Sequence, residues 1–419
     1  MKDPNLSPAA RAWVLVAVFL GLLFDGFELG LMPVASLSVS KSLLGDDFTP
    51  QAGGDWFARF TAALMLGAAL GGIFLGALGD RIGRSRAMSV SVLFYSFFAS
   101  AGALARNQEE MLASRFLVGL GVGGMWPNGM ALVSECWRGA SKPLVSGVMM
   151  AGLNAGILLL SQMARVWPVT SESWRWIFLL AGFPAALGLS CWFLLPESPE
   201  WLLARSRNAS ARTARPVADL FSGTMLRRTL AGIILSAIPM VGAWAASKWM
   251  IPWADEVARS TSPGYKAAVQ GWWSGGAIGG SILGAQLAGW LGKKGSYLLI
   301  SLGAWVATLS MFQVTAPLEP LFIPIVLIQG FFSTLFFGWL ALFLPELFPT
   351  GVRSSGSGMS YNTGRFATAF GVLGAGALFN WLGGSYPKVG SVMSFIYAMG
   401  FAAIWLVPSD KPDEKETIR

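Results

Sequence analysis

The stretch Gly76–Met88, GALGDRIGRSRAM, decides how the rest of the chain is read. It follows an apolar run longer than a helix and gathers Asp80, Arg81, Arg84 and Arg86 into one short link before a second apolar run begins. Gly76, Gly79 and Gly83 let neighbouring helix ends approach closely and turn sharply, and the charges mark where hydrocarbon gives way to water. The stretch therefore predicts a hinge between two membrane helices. The plainer reading, an ordinary basic loop on one side of a membrane, rests on the same charges.

Outward from the hinge, the 419 residues are 54% hydrophobic and only 12% charged, which excludes an ordinary soluble domain. A helix needs about 20 apolar residues to cross the hydrocarbon. Twelve such stretches lie near 12–40, 56–79, 86–105, 109–137, 141–167, 174–196, 227–253, 267–291, 296–315, 319–347, 353–382 and 389–408. The expectation is an all-α membrane protein of twelve transmembrane helices in two pseudo-symmetric six-helix bundles. The bundles would be 1–203 and 227–419, joined by a basic linker over 204–226 and followed by a short charged tail.

The net charge of +8 is topological rather than a nucleic-acid footprint. With both termini on one side, that side collects about 19 of the 30 Lys and Arg and the opposite side about 8, which puts both termini in the cytoplasm of a multi-pass plasma (bacterial inner) membrane protein. The linker arginines, Arg205, Arg207, Arg212, Arg215, Arg227 and Arg228, face anionic lipid in this reading. The first apolar run is too long for a cleavable signal. Cys136 and Cys191 fall near cytoplasmic helix ends, so no disulfide is expected. Histidine is absent, and neither a Walker loop nor a zinc-ligand spacing occurs, so neither ATP nor a metal or other cofactor drives the chain. Proton chemistry falls to carboxylates, with the proton gradient as the energy source.

The hinge spacing Gly-x-Leu-x-Asp-Arg-x-Gly-Arg resembles the link between the second and third helices of major facilitator superfamily transporters. Further residues carry the resemblance. The first helix places Asp25 and Glu28 in LLFDGFELGLMPV, near the bilayer midplane and on one face; intramembrane carboxylates usually line an ion or substrate path. Asp-Gly-Phe-Glu is similar to the Asp-Gly-x-Asp signature of the aromatic acid:proton symporters, with Glu28 in place of the second Asp. Arg115 precedes Gly119 and Gly121 in an Arg-x-x-x-Gly-x-Gly pattern; it stands ready to balance the acid pair and counts among the substrate-binding candidates. Pro196-Glu197-Ser198-Pro199-Glu200-Trp201-Leu202 resembles the helix-six ending of sugar, organic-ion and aromatic-acid carriers. Glu346-Leu347-Phe348-Pro349-Thr350-Gly351-Val352-Arg353 resembles the link before helix eleven.

A weak internal repeat supports two related halves. At an offset of 211 residues Glu135 matches Glu346, Lys142 matches Arg353 and Gly119 matches Gly330. The link GWLGKKG corresponds to the opening hinge, with Gly289 where Asp80 would stand when Gly292 is set against Gly83. Helix eleven carries Arg365 about 18 Å into the bilayer at 1.5 Å per residue. At that depth Arg must meet an acid, a cavity or an anionic ligand. Tyr361 and Asn362 lie nearby. Asn154 on helix five and Gln329 and Trp339 on helix ten are further candidates for a substrate cavity. Lys248, among Trp244, Trp249 and Trp253, reads as a base snorkelling to an outer aromatic belt, with no role assigned.

Together these imply a monomeric secondary transporter for a small organic anion, such as an aromatic acid, moved with protons by alternating access, and not an enzyme. Arg365 would bind carboxylate; Asp25 and Glu28 would carry the proton. Gly76, Asp80, Arg81, Gly83, Arg84, Glu135, Glu197, Glu346 and Arg353 would gate the cytoplasmic side. The alternatives are a carrier for a sugar or another neutral metabolite, and a membrane sensor on a carrier scaffold.

Overall fold

The computed structural model describes residues 6–137, 142–206, 220–221, 223–349 and 352–407, with the backbone alone at 142–143, 204–206, 224 and 353–355. The linker and tail expected at 204–226 and after 407 lie largely outside these residues. Among the described residues twelve helices follow the predicted order. They are α1 (Pro8–Leu44), α2 (Pro50–Ile82), α3 (Arg84–Gly102), α4 (Gln108–Cys136), α5 (Lys142–Val166), α6 (Arg175–Leu194), α7 (Met225–Ala258), α8 (265–291), α9 (293–313), α10 (Phe322–Phe343), α11 (Arg353–Trp381) and α12 (Tyr386–Leu406). Among the described residues nine helical segments are long and apolar enough to cross a membrane, and one of them, Tyr265–Gln313, bends at Gly292 into α8 and α9; α3 and α11, the remaining two helices, are less apolar. The polar loop expected at Lys41–Asp55 shrinks to residues 45–49, because a capped helix begins at Pro50.

Local sequence explains the helix starts. Ser7 and Thr49 accept from the amides of Ala10 and Ala52, each with Pro at the following position, where a missing N–H costs nothing. Asn107 does the same for Glu110 at 2.8 Å. At the hinge, Gly83 has φ +103° and Gly292 has φ +70°, a region that side chains rarely adopt, so each ends one helix and starts the next.

Helices within 1–206 pack on one another, as do those within 223–407; the seams between the sets are α5 on α8 and α2 on α11. Glycines set the closest approaches. A Cβ at Gly67, Gly71, Gly119 or Gly123 would stand 2.0–2.3 Å from a backbone oxygen of the facing helix, and one at Gly276, Gly280, Gly284 or Gly330 would do likewise in the second half. The glycine-lined α2–α4 contact and the α8–α10 contact are thus one device used twice. The charged corner is also repeated: Arg84 pairs with Glu135, and Lys293 with Glu346. Both cysteines are buried free thiols.

Candidate functional site

Helices of both sets enclose a central cavity. Asp25 from α1 and Arg365 from α11 face it, together with Trp126, Asn154, Lys248, Trp273, Thr334 and Tyr361. Arg365 donates from Nη1 to the carbonyl of Ala68 on α2 at 3.0 Å, and its guanidinium lies 5.3 Å from the Tyr361 ring centroid. Tyr361 in turn stacks on Trp126, centroids 5.0 Å apart at 8°, which joins α11 to α4 across the two halves. The indole N–H of Trp126 and Oδ1 of Asp25 are buried without a hydrogen-bond partner. Asn154 is held by Met150 O at 3.2 Å and Ser281 Oγ at 2.9 Å. The site is a flat aromatic enclosure bearing an acid, a fixed cation and unused polar groups.

The acid pair divides. Asp25 faces the cavity, whereas Glu28 is fully buried against Arg115, Nη1 to Oε2 3.5 Å, with Arg115 also lying 4.9 Å from the Phe178 ring. Arg115 is therefore outside the cavity lining, contrary to its expected place among the substrate-binding residues: it pairs with Glu28, which shares a helix face with Asp25 but does not line the cavity. Three other candidates are also displaced. Asn362 turns toward α2, its Oδ1 lying against Gly72. Gln329 sits behind Trp273, accepting from that indole N–H at 2.6 Å and donating to Ser247 and Thr308. Trp339 packs in the second half's core with Tyr297 and Phe343 and donates to Lys293 O and Ser296 Oγ, both at 3.0 Å. Thr334 and Phe337 take the cavity face of α10, and Trp339 falls on the other side of the same helix.

Lys248 reverses its sequence reading. It is 1% exposed, lines the cavity, and points Nζ over the Trp273 ring at 3.2 Å, with no hydrogen-bond partner. The cause is a break in α7, where Gly242–Ala246 forms a π turn and Ser247–Trp249 a 3-10 turn. These changes of pitch rotate the segment relative to a regular helix. Pro239, Gly242 and Pro252 were the sequence signal for this irregularity.

The hinge residues form a brace inside the first half. Asp80 pairs with Arg84 across Gly83, and Arg84 Nε reaches Glu135 at 3.6 Å. Glu197 accepts from the amides of Arg84 at 2.8 Å, Ser85 at 3.2 Å and Ser198 at 2.8 Å, capping the start of α3. Trp201 donates to Asp80 O at 2.9 Å. Gly76 lies 3.6 Å, through a Cβ, from Pro127, and Arg81 is exposed. Among the described residues none of the side chains Asp80, Arg84, Glu135 and Glu197 bonds to α7–α12, so the expected latch is in this structure a clamp on α2, α3, α4 and the end of α6. The Arg353 side chain lies outside the described residues.

Comparison with known proteins matches this arrangement. The chain is 27% identical to a gallate transporter of Pseudomonas putida, covering 89% of this chain and 87% of that protein. It is 28% identical to a 4-hydroxybenzoate transporter of Pseudomonas aeruginosa over 84% and 85% of the two chains. It is also 27% identical to a cis,cis-muconate transport protein of Acinetobacter baylyi over 84% and 83%. Among solved structures, an inward-open xylose transporter of E. coli superposes with a TM-score of 0.76 at 16% identity, covering 95% of this chain and 97% of that one, and so shares the fold. The model of the Major Facilitator Superfamily matches residues 14–372, and with the twelve-helix fold and central cavity this places the chain in that superfamily, as an integral multi-pass membrane carrier rather than an enzyme.

Proposed function

We propose that the protein carries a small organic anion, of the aromatic-acid class, together with protons across the bacterial inner membrane by alternating access, with both termini in the cytoplasm and the monomer as the working unit. The observation that carries this reading is Arg365 and Asp25 facing one aromatic-walled cavity between the two halves. Arg365 binds the carboxylate through its planar donor fork, and Trp126 and Tyr361 stack against the ring. Asp25 carries the proton, while Glu28 pairs with Arg115 behind the cavity. The relatives named for gallate, 4-hydroxybenzoate and muconate transport support the substrate class. A sugar carrier, the other reading, would have little use for a fixed cation in the cavity.

The test is uptake of labelled 4-hydroxybenzoate into proteoliposomes under an imposed pH gradient. The expected result is accumulation that a protonophore abolishes and that benzoates, not hexoses, compete away. No uptake, or equal competition by glucose, rejects the reading. In Asp25→Asn, gradient-driven accumulation is expected to be lost while exchange of labelled for unlabelled substrate continues. Gradient-driven accumulation persisting in that variant removes Asp25 from coupling.

A further inference from the structure

One acidic and two basic side chains line the cavity: Asp25, Lys248 and Arg365. Arg365 has protein partners, a carbonyl and a tyrosine ring. Lys248 has none that accepts a hydrogen bond. Among the described residues its Nζ lies over the face of Trp273, at 3.2 Å, with the Trp244 ring farther off at 5.9 Å, and is otherwise a buried amino group without a hydrogen-bond partner. Among the described residues no acid pairs with it: the ion pairs of Asp255 go to Lys266 and Arg259, and the one acid in the cavity lining is Asp25.

Charge balance then discriminates between ligands. Burying an uncompensated charge in a poorly hydrated interior is costly, so a carrier that closes around its load favours a load that cancels the charge of the cavity. With a proton on Asp25 and both bases charged, the cavity holds two positive charges. A monocarboxylate cancels one of them; a dicarboxylate cancels both. Resting on the reading of the cavity as an organic-anion site, we infer that Lys248 is a second anion anchor and that the preferred substrate is a flat dianion, with one acidic group on Arg365 and the other on Lys248. The two anchors stand on different helices, α11 and α7. Each has an aromatic ring as neighbour, Tyr361 beside Arg365 and Trp273 beside Lys248, so a planar, conjugated body is matched along the length between them.

The test measures binding of benzoate and of terephthalate to the purified full chain at one pH, by competition or thermal shift. The wild type is expected to bind terephthalate at least tenfold more tightly than benzoate. Lys248→Met is expected to lower the terephthalate-to-benzoate affinity ratio at least tenfold, and Lys248→Arg to recover most of it. Equal or tighter binding of benzoate by the wild type overturns the inference even if a Lys248 variant does not fold, as does a ratio unmoved by Lys248→Met. Those outcomes leave the organic-anion reading standing. Binding of neither acid sinks that reading, and the inference with it.

Discussion

Arg365 is the side chain on which anion binding turns, because its guanidinium offers a planar donor fork that Lys lacks. Arg365→Lys is expected to weaken benzoate binding by about 1–3 kcal/mol, measured by thermal shift; normal affinity in Arg365→Ala would show that the carboxylate binds elsewhere. Glu28 and Arg115 invite a different measurement. Both are 0% exposed, and removing one partner of a buried pair strands the other, at a cost of about 3–5 kcal/mol. Glu28→Gln and Arg115→Met are each expected to melt well below the wild type in detergent. The double variant Glu28→Leu/Arg115→Met should recover much of the loss, and single variants as stable as the wild type would mean that the pair is not what holds α1 to α4. At this scale the sequence was uneven. The charges at Asp25, Glu28, Arg115 and Arg365 were legible because intramembrane charge is rare. Lys248 was not, because its direction depends on two irregular turns that no periodicity encodes. Gln329, Asn362 and Trp339 were correctly placed on their helices but on the wrong side of them, since α10 and α11 bury polar groups against neighbouring helices as well as against the cavity.

Among the elements, the start of α3 is the most exacting. Gly83 combines a positive φ with a Cβ position 2.0 Å from the Glu197 carboxylate, so the hinge needs both the glycine and the acid. Glu197→Ala uncaps α3 and is expected to cost about 0.5–2 kcal/mol, as lost helix caps do. Asp80 is mostly exposed and its pair with Arg84 spans one turn, which limits its stability contribution to about 0–1 kcal/mol. Asp80→Asn should therefore melt close to the wild type, while Glu197→Ala melts lower; the reverse order would show that the hinge is held by its ion pair. The sequence disclosed this corner through motif spacing alone. It could not disclose that the clamp stays within one half, because spacing along a chain says nothing about which neighbour a link folds against.

The two halves are sealed against each other where α1 ends and α2 begins. There Phe57 of the first half meets Trp249 of the second, centroids 5.1 Å apart, and Trp249 stacks on Phe379. Lys266 donates to Ser38 Oγ at 2.9 Å, and Gln270 to Gly30 O at 3.0 Å. Ser38→Ala deletes one bond of this seal, worth about 1 kcal/mol, so the open-to-closed ratio of that end should rise about fivefold. A cysteine placed at Ser161, one layer inside, should react correspondingly faster with an impermeant thiol reagent applied from that end. An unchanged rate would mean that the aromatic contacts alone hold the seal. The order of the twelve helices was legible from hydropathy and the repeat, but the seal was not, since it joins residues far apart in the chain. The α2–α4 seam carries a consequence of another kind, in genetic terms. Glycine has no smaller replacement, so every missense change at Gly67, Gly71, Gly119 or Gly123 adds a carbon where a backbone oxygen already stands within 2.3 Å. These four codons should tolerate only synonymous variation, whatever the substrate, and natural variants of this chain are expected to be silent there even where the cavity has been rebuilt for a different load.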